Sequence, residues 1–240
     1  MHDLVRYQAT LLRSDKLSER TRQLQFSLDG VERFEFEPGQ YVRLRRSADD
    51  PDSEARDYSI ASAPHHDNVF DLCLNQVEGG RFSQYLCHLE AGARVVVEGP
   101  RGEFRLRHPL RSSLFVATGT GIAPLRSMLG WILAAEERHQ GKRFHLIFGT
   151  RTSDDLFYHE EFTRMASMHA EFEYTRTLSA ADNAWEGPRG RVNEHVRQLA
   201  AGHKDMDAYV CGLRDMVNDV RDLLLSVGWE ESQIHFEKYN

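Results

Sequence analysis

The chain has 240 residues, 40% of them hydrophobic, and its 30 lysines and arginines against 37 aspartates and glutamates give a net charge of −7. That length suits two modest domains with real cores, and the acidic balance excludes a general nucleic-acid binder, whose phosphate contacts need a cationic surface. No run of about 18 apolar residues offers a membrane span, and charges within Met1 to Ser14 break the apolar core a secretory signal needs, so no membrane insertion and a cytoplasmic location are expected.

In chain order, the segments VRYQATLLR, RQLQFSL, YVRLRR, RDYSIAS, VFDLCLNQV and ARVVVEG are short β-type runs separated by turn-forming residues. Their spacing predicts a six-stranded antiparallel β-barrel over residues 1–108, with one short helix from Phe82 to Leu89. Beyond Pro109 the rhythm changes to apolar strand and amphipathic helix: SLFVATG, PLRSMLGWILAAEERHQ, RFHLIFGT, DDLFYHEEFTRMA, EFEYTRTL, VNEHVRQLA, DAYVCG, RDMVNDVRDLLLSVG and QIHFEKY. Such alternation predicts an α/β domain over residues 109–240 with a mostly parallel sheet. The three cysteines, Cys73, Cys87 and Cys211, form no CxxC pair, and the 12 histidines include no HExxH, so no metal or iron–sulfur site is expected.

Two stretches carry chemistry. RDYSIAS, residues 56–62, places a cation, an aromatic ring and a hydroxyl at Arg56, Tyr58 and Ser59, groups suited to gripping a ligand rather than filling a core. Strict alternation would send Tyr58 and Ser59 to opposite faces, so a ligand touching both must lie across a bent or exposed strand end. ATGTGIAP, residues 117–124, follows the first parallel strand and opens the longest helix. Gly119 and Gly121 permit close backbone approach, Thr118 and Thr120 add hydroxyls, and Pro124 suits the first helical turn. Helix amides and dipole converge there on a site for an anion, most naturally a pyrophosphate; a Gly-rich turn without a ligand is the alternative.

RDYSIAS, ATGTGIAP and CGLRDM, together with FEPGQYV, GGRFS and GPRGEF in the same order, make the chain resemble the ferredoxin–NADP reductase superfamily of flavoproteins over nearly its whole length. The resemblance implies that Arg56 pairs with the FAD pyrophosphate, Tyr58 packs on the isoalloxazine and Ser59 lies near flavin N5, roles that suit a guanidinium fork and an aromatic face. Gly80 and Ser83 then supply a second pyrophosphate contact, an ordinary helix cap being the alternative. Thr118, Gly119, Thr120 and Gly121 bind the nicotinamide dinucleotide, and Cys211 and Gly212 shape the nicotinamide pocket. At the chain end, Tyr239 is the candidate aromatic cover for the flavin, with Phe236 as competitor, and Glu237 the candidate carboxylate beside the reacting rings.

Arg151, Arg176 and Arg191 stand where NADPH-using relatives carry cations for the 2′-phosphate, so FAD and NADP, rather than NAD, are the expected cofactors. The implied reaction is hydride transfer from NADPH to FAD and delivery of single electrons to a ferredoxin or flavodoxin, with Ser59, Cys211 and Glu237 at the reacting centre. Phe104 to Arg111 and the arginines at 43, 45 and 46 are candidate landing patches for an acidic partner. The sequence is compatible with a monomer. Two other readings are a reductase component of an oxygenase, or a flavin reductase, and, from a different class, a flavin-free nucleotide-binding regulatory module.

Overall fold

The structure is a computed structural model that describes residues 5–47, 54–201 and 205–239. The chain divides into two compact units, Met1–Arg105 with Arg126–Trp131, and Leu106–Leu125 with Ile132–Asn240.

In the first unit, β1 (Arg6–Lys16), β2 (Thr21–Leu28), β3 (Tyr41–Arg45), β4 (Ala55–Ser59), β5 (Val69–Asn75) and β6 (Arg94–Arg101) form a six-stranded sheet in the order β4-β3-β6-β1-β2-β5. Every neighbouring pair is antiparallel. Alternation sends Leu24, Phe26 and Leu28 of β2, Val42 and Leu44 of β3, and Val95 and Val97 of β6 into one core. The two edges meet where Ile60, just past β4, bridges to Leu72 of β5 and the Ala61 N–H donates to the Asp71 carbonyl at 2.8 Å. That closure makes the sheet a barrel and removes its edges. The short helix α1 (Arg81–Cys87) buries Phe82 and Leu86 in the same core.

A charge is buried at the closure. Asp71 is only 7% exposed. Its carboxylate accepts from Gln23 Nε2 and Gln25 Nε2, both at 3.0 Å, and from Arg126 Nη1 at 3.3 Å, while the Arg126 guanidinium also donates to the Ala61 carbonyl at 3.0 Å. Burying an ionised carboxylate requires such satisfaction.

In the second unit, β7 (Ser113–Thr118), β8 (Phe144–Thr150), β9 (Phe172–Leu178), β10 (Asp207–Leu213) and β11 (Ile234–Tyr239) run parallel in the order β11-β10-β7-β8-β9. The connecting helices are α2 (Ile122–Leu133), α3 (Glu136–His139), α4 (His159–Met168), α5 (Val192–Ala200) and α6 (Arg214–Ser226). From β7 the chain first builds outward through β8 and β9, then returns to the other side for β10 and β11. The reversal creates a switch point at the carboxyl ends of β7 and β10, where ligands of such sheets gather.

Two helices expected from the sequence are interrupted. The run from Pro124 to Gln140 breaks at Ala135, which is extended (φ −145°, ψ 126°). No residue between Leu133 and His139 is buried, so continuing the helix there would bury no apolar face. The run from Asp154 to Ala166 begins instead as a 3₁₀ turn, Ser153–Asp155, and restarts at His159 after Tyr158 takes the left-handed conformation (φ 58°), with Phe157 buried against Phe148 at 6.0 Å between ring centroids.

Substituting Asp71→Ala should destabilise the first unit by roughly 3 kcal/mol or more, because it leaves Arg126, only 16% exposed, as a buried cation without its carboxylate. Urea unfolding measures this. A midpoint equal to that of the unsubstituted chain would show that the network contributes nothing.

Candidate functional site

The chemistry-bearing residues of the first unit gather on β4 and α1. Arg56 and Tyr58 pair with Leu44 and Val42 across the ladder and so lie on the core-facing side of β4. Tyr58 is half-buried against the barrel core. Burial pushes its phenol pKa well up, with a smaller contribution from nearby Cys87 of α1, so the ring stays neutral. Arg56 stays at the rim, 59% exposed, tethered by Glu54 Oε1 and the Ala55 carbonyl, both at 2.8 Å. Ser59 is the last residue of β4 and is 6% exposed. The strand ends at Ser59, which still pairs with Tyr41 in the ladder, and Ile60 already belongs to the closure with Leu72.

At the loop leading into α1, the Ser83 hydroxyl accepts from the Val77 N–H and donates to the Gly80 carbonyl, both at 3.0 Å. Gly80 packs so tightly on Ser83 Oγ and Val77 that a Cβ would collide with both. These two residues therefore fix the loop's shape. α1 starts with Gly80 as N-cap and no side-chain cap on its amides.

In the second unit the motif at residues 118–121 occupies the switch point. Gly119–Gly121 form a 3₁₀ turn, and α2 follows at Ile122 with no side chain capping its first amides and no acidic residue in its first turn. Gly119 has φ 53° and open space around it, as a residue must where a ligand approaches the backbone. Gly121 instead presses on β10: a Cβ there would run into the Cys211 carbonyl. A Cβ on Gly212, at φ 151°, would strike Thr118 Oγ1 and Met216. Thr118 Oγ1 is buried with no hydrogen-bond partner, which leaves a hydroxyl uncommitted beside the uncapped amides. This combination fits a pyrophosphate or ribose.

Cys211 is fully buried and pairs across the parallel ladder with Glu237, while Tyr239 pairs with Leu213 two residues further on. Burial pushes the Cys211 thiol well above its usual range; the Glu237 carboxylate adds to this and a hydrogen bond from the Tyr239 side chain opposes it. Cys211 is thus a neutral thiol in a fixed position. Phe236 points away from this group, 38% exposed with Lys238 Nζ 4.7 Å from its ring centroid.

The three arginines expected for a 2′-phosphate are not equivalent. Arg151, just past β8, and Arg191, at the N-cap of α5, are exposed. Arg176 lies within β9, its Nε buried without a partner and its guanidinium 5.2 Å from the centroid of the Trp185 ring. Trp185 belongs to a loop closed by Arg189, which donates to the carbonyls of Ala181 (3.2 Å), Asp182 (2.8 Å) and Trp185 (2.7 Å). In the sequence Trp185 is marked only as an aromatic inside the Gly/Pro-rich run WEGPRG.

The basic segment at 104–111 is less available than its sequence suggests. Arg105 is held by Glu37 at 2.6 Å and Glu103 at 2.5 Å, and Arg111 by Asp207 at 3.1 Å. A cavity of about 460 Å³ lined by Arg107, Arg111, Asp207 and His235 lies at the amino ends of β7, β10 and β11, the edge opposite the switch point. No helix among the described residues is long and apolar enough to cross a membrane, and no group of three His, Cys, Asp or Glu among them could hold a metal.

The match to known proteins follows this division. Residues 8–106 match an oxidoreductase FAD-binding domain and residues 115–222 an oxidoreductase NAD-binding domain. The chain is 39% identical to ferredoxin–NADP reductase B of Sorangium cellulosum over 98% of both chains. It is 32% identical to the electron transfer component of 2-halobenzoate 1,2-dioxygenase from Burkholderia cepacia, covering 94% of this chain and 65% of that longer relative. Among solved structures, a cytochrome P450 reductase of Amycolatopsis superposes with a TM-score of 0.86 at 28% identity, over 99% of this chain and 71% of that one. The barrel, the parallel sheet and the motifs on them thus place the chain in the ferredoxin–NADP reductase family of FAD-containing, NAD(P)H-dependent oxidoreductases.

Proposed function

We propose that residues 1–108 hold FAD and residues 109–240 hold NADPH, and that the protein passes electrons from NADPH to a separate protein carrier of the ferredoxin or flavodoxin type. The observation that carries this reading is the pairing of two built sites, the Arg56–Tyr58–Ser59 strand end and the uncapped turn at Thr118–Gly121, within family-matched FAD and NAD domains. When bound, the two cofactors would supply the redox chemistry, the nicotinamide as hydride donor and the flavin as converter between two-electron and one-electron transfer.

The chain's own residues bind and orient. Arg56 offers a fork to a diphosphate at the rim, and neutral Tyr58 offers a flat apolar face. Ser59, at the strand end beside Tyr58, is the hydroxyl placed to meet the flavin ring. The amides of the turn at Gly119–Gly121 and the Thr118 hydroxyl take the nicotinamide dinucleotide. Cys211, Gly212 and Glu237 shape the nicotinamide end of that site, and a neutral thiol suits this role because positioning, not nucleophilic attack, accelerates hydride transfer. Tyr239, through its bond to Cys211, holds this group together. Arg176, fixed by Trp185, is the best placed of the three arginines to favour NADPH over NADH.

The reading as an oxygenase reductase draws support from the 2-halobenzoate dioxygenase component, which is longer than this chain. The carriers differ between the two readings; the half-reaction with NADPH does not.

The purified protein should be yellow and release FAD, and anaerobic NADPH should bleach it; a preparation that takes up no flavin would end the proposal. Tyr58→Ala should lower FAD affinity by roughly tenfold to a hundredfold, the scale of about 1.5–3 kcal/mol for fully burying an aromatic face, measured by flavin retained after gel filtration. Arg176→Ala should reduce the NADPH over NADH preference in kcat/KM by roughly tenfold or more, since a charge-assisted bond contributes about 1.5–3 kcal/mol. An unchanged ratio would remove Arg176 from coenzyme selection.

A further inference from the structure

The strand end that carries Ser59 is held by a closed ring of hydrogen bonds as well as by the ladder. Just past Ser59, the Ile60 N–H donates to the Gln40 carbonyl at 2.9 Å. The Ala61 N–H donates to the Asp71 carbonyl at 2.8 Å, and the Asp71 N–H donates to the Ser62 hydroxyl at 3.0 Å. Side chains complete the ring: Arg126 Nη1 donates to the Asp71 carboxylate at 3.3 Å and to the Ala61 carbonyl at 3.0 Å. Ala61 is thus gripped at both its N–H and its carbonyl, and Asp71 takes part through backbone and side chain alike.

The ladder explains how a carboxylate reaches this place. Phe70, Leu72 and Leu74 of β5 enter the barrel core, so Asp71 points to the outer side of the sheet, opposite Gln25 of β2. Residues Arg126–Trp131 of α2 belong to the first unit and cover that outer side. A Cβ on Gly39 would run into Met128 Cε, and one on Gly130 would lie 3.3 Å from the Ala63 Cβ. All four residues from Ser59 to Ser62 are buried.

Closing the barrel does not by itself call for charge here. Replacing a buried ion pair by well-packed apolar residues is often neutral for stability, and the bridge between Ile60 and Leu72 already joins the two edges. What the pair adds is direction. Asp71, met by the amides of Gln23 and Gln25, has few ways to turn, and it fixes a guanidinium nitrogen whose second hydrogen holds a carbonyl two residues from Ser59. Support of this kind is what a ligand-binding strand end needs to keep its geometry.

We propose that Asp71 and Arg126 are positioning residues for the flavin-binding strand end, setting through Ala61 where the Ser59 hydroxyl and the Tyr58 ring stand. The inference rests on the FAD reading and deepens it by naming residues that act through others.

The test uses the full chain loaded with FAD, every rate being expressed per bound flavin. Arg126→Met should lower the rate of anaerobic flavin bleaching at saturating NADPH by roughly tenfold or more, since a 1 Å misplacement can cost about a hundredfold. The Kd for NADPH should stay within about twofold, because what is lost is alignment and not coenzyme binding. The shape of the flavin's visible absorption band should change as well, a signature that a loss of stability alone does not give. Arg126→Lys, which keeps a cation with hydrogens for both acceptors, should recover much of the rate. Asp71→Asn combined with Arg126→Met removes both charges together and leaves none buried alone, so it serves if Arg126→Met fails to fold, and should show the same slow bleaching. An unchanged rate per bound flavin with an unchanged absorption band, whether or not FAD retention or the melting temperature falls, would overturn the positioning role. Failure of the double variant to fold would also overturn it, by assigning the pair to the fold itself. An unsubstituted chain that takes up no FAD would instead sink the FAD reading.

Discussion

The turn at the switch point of the parallel sheet depends on one close approach, that of Gly121 to the backbone of Cys211 and Gly212. No side chain fits between the turn and the end of β10, so the turn, the Thr118 hydroxyl and the Cys211 carbonyl form a single block. The parallel ladder then carries the constraint outward: Cys211 is in register with Ala117 of β7 on one side and with Glu237 of β11 on the other. The residues proposed to meet a nicotinamide are thus ordered by backbone contact rather than by flexible side chains. Hydride transfer places its demands on position, so a site built from rigid strand ends answers those demands directly.

The barrel's buried carboxylates Asp71 and Glu98 show two solutions to one physical problem. Asp71 is met by two amides and one arginine, a set that satisfies it without a large surplus of charge, and it sits where the sheet closes. Glu98 is met by three arginines, one each from β1, β3 and β6. Desolvating a carboxylate costs several kcal/mol in either place. In the first case the compensation ties the closing edges together; in the second it ties β1, β3 and β6 across the outer side of the sheet.

Much of this was legible in the sequence for identifiable reasons. The six short runs and the later alternation of strand and helix follow from period-2 and period-3.6 patterns, which local chemistry sets. ATGTGIAP could be read as an anion turn because glycine, hydroxyl and helix start occur together in the chain. Glu98 could not be read in this way: in ARVVVEG it looks like the polar residue that ends a strand, and its three arginines come from positions 6, 45 and 101. Only the register of β1, β3 and β6 brings them together. The same limit applies to Asp71, whose partners are spread from Gln23 to Arg126. The break at Ala135 was hidden for a different reason, since alanine and glutamate favour helix locally and the absence of any buried face is a tertiary fact.

Cys211 shows how the environment decides between two readings of the same residue. A cysteine at a strand end beside a dinucleotide turn invites the idea of a nucleophile, yet a reactive thiolate needs cations or helix amides and some exposure. Here the thiol is fully buried, its ladder neighbour is the carboxylate of Glu237, and both raise the cost of ionisation. The opposing hydrogen bond from Tyr239 does not reverse that balance, and its physical effect is to tie the chain end to β10. A small, polarisable, uncharged group in a fixed place is what remains, and the role proposed for it beside two flat rings, defining space without adding a charge, asks for no more than that.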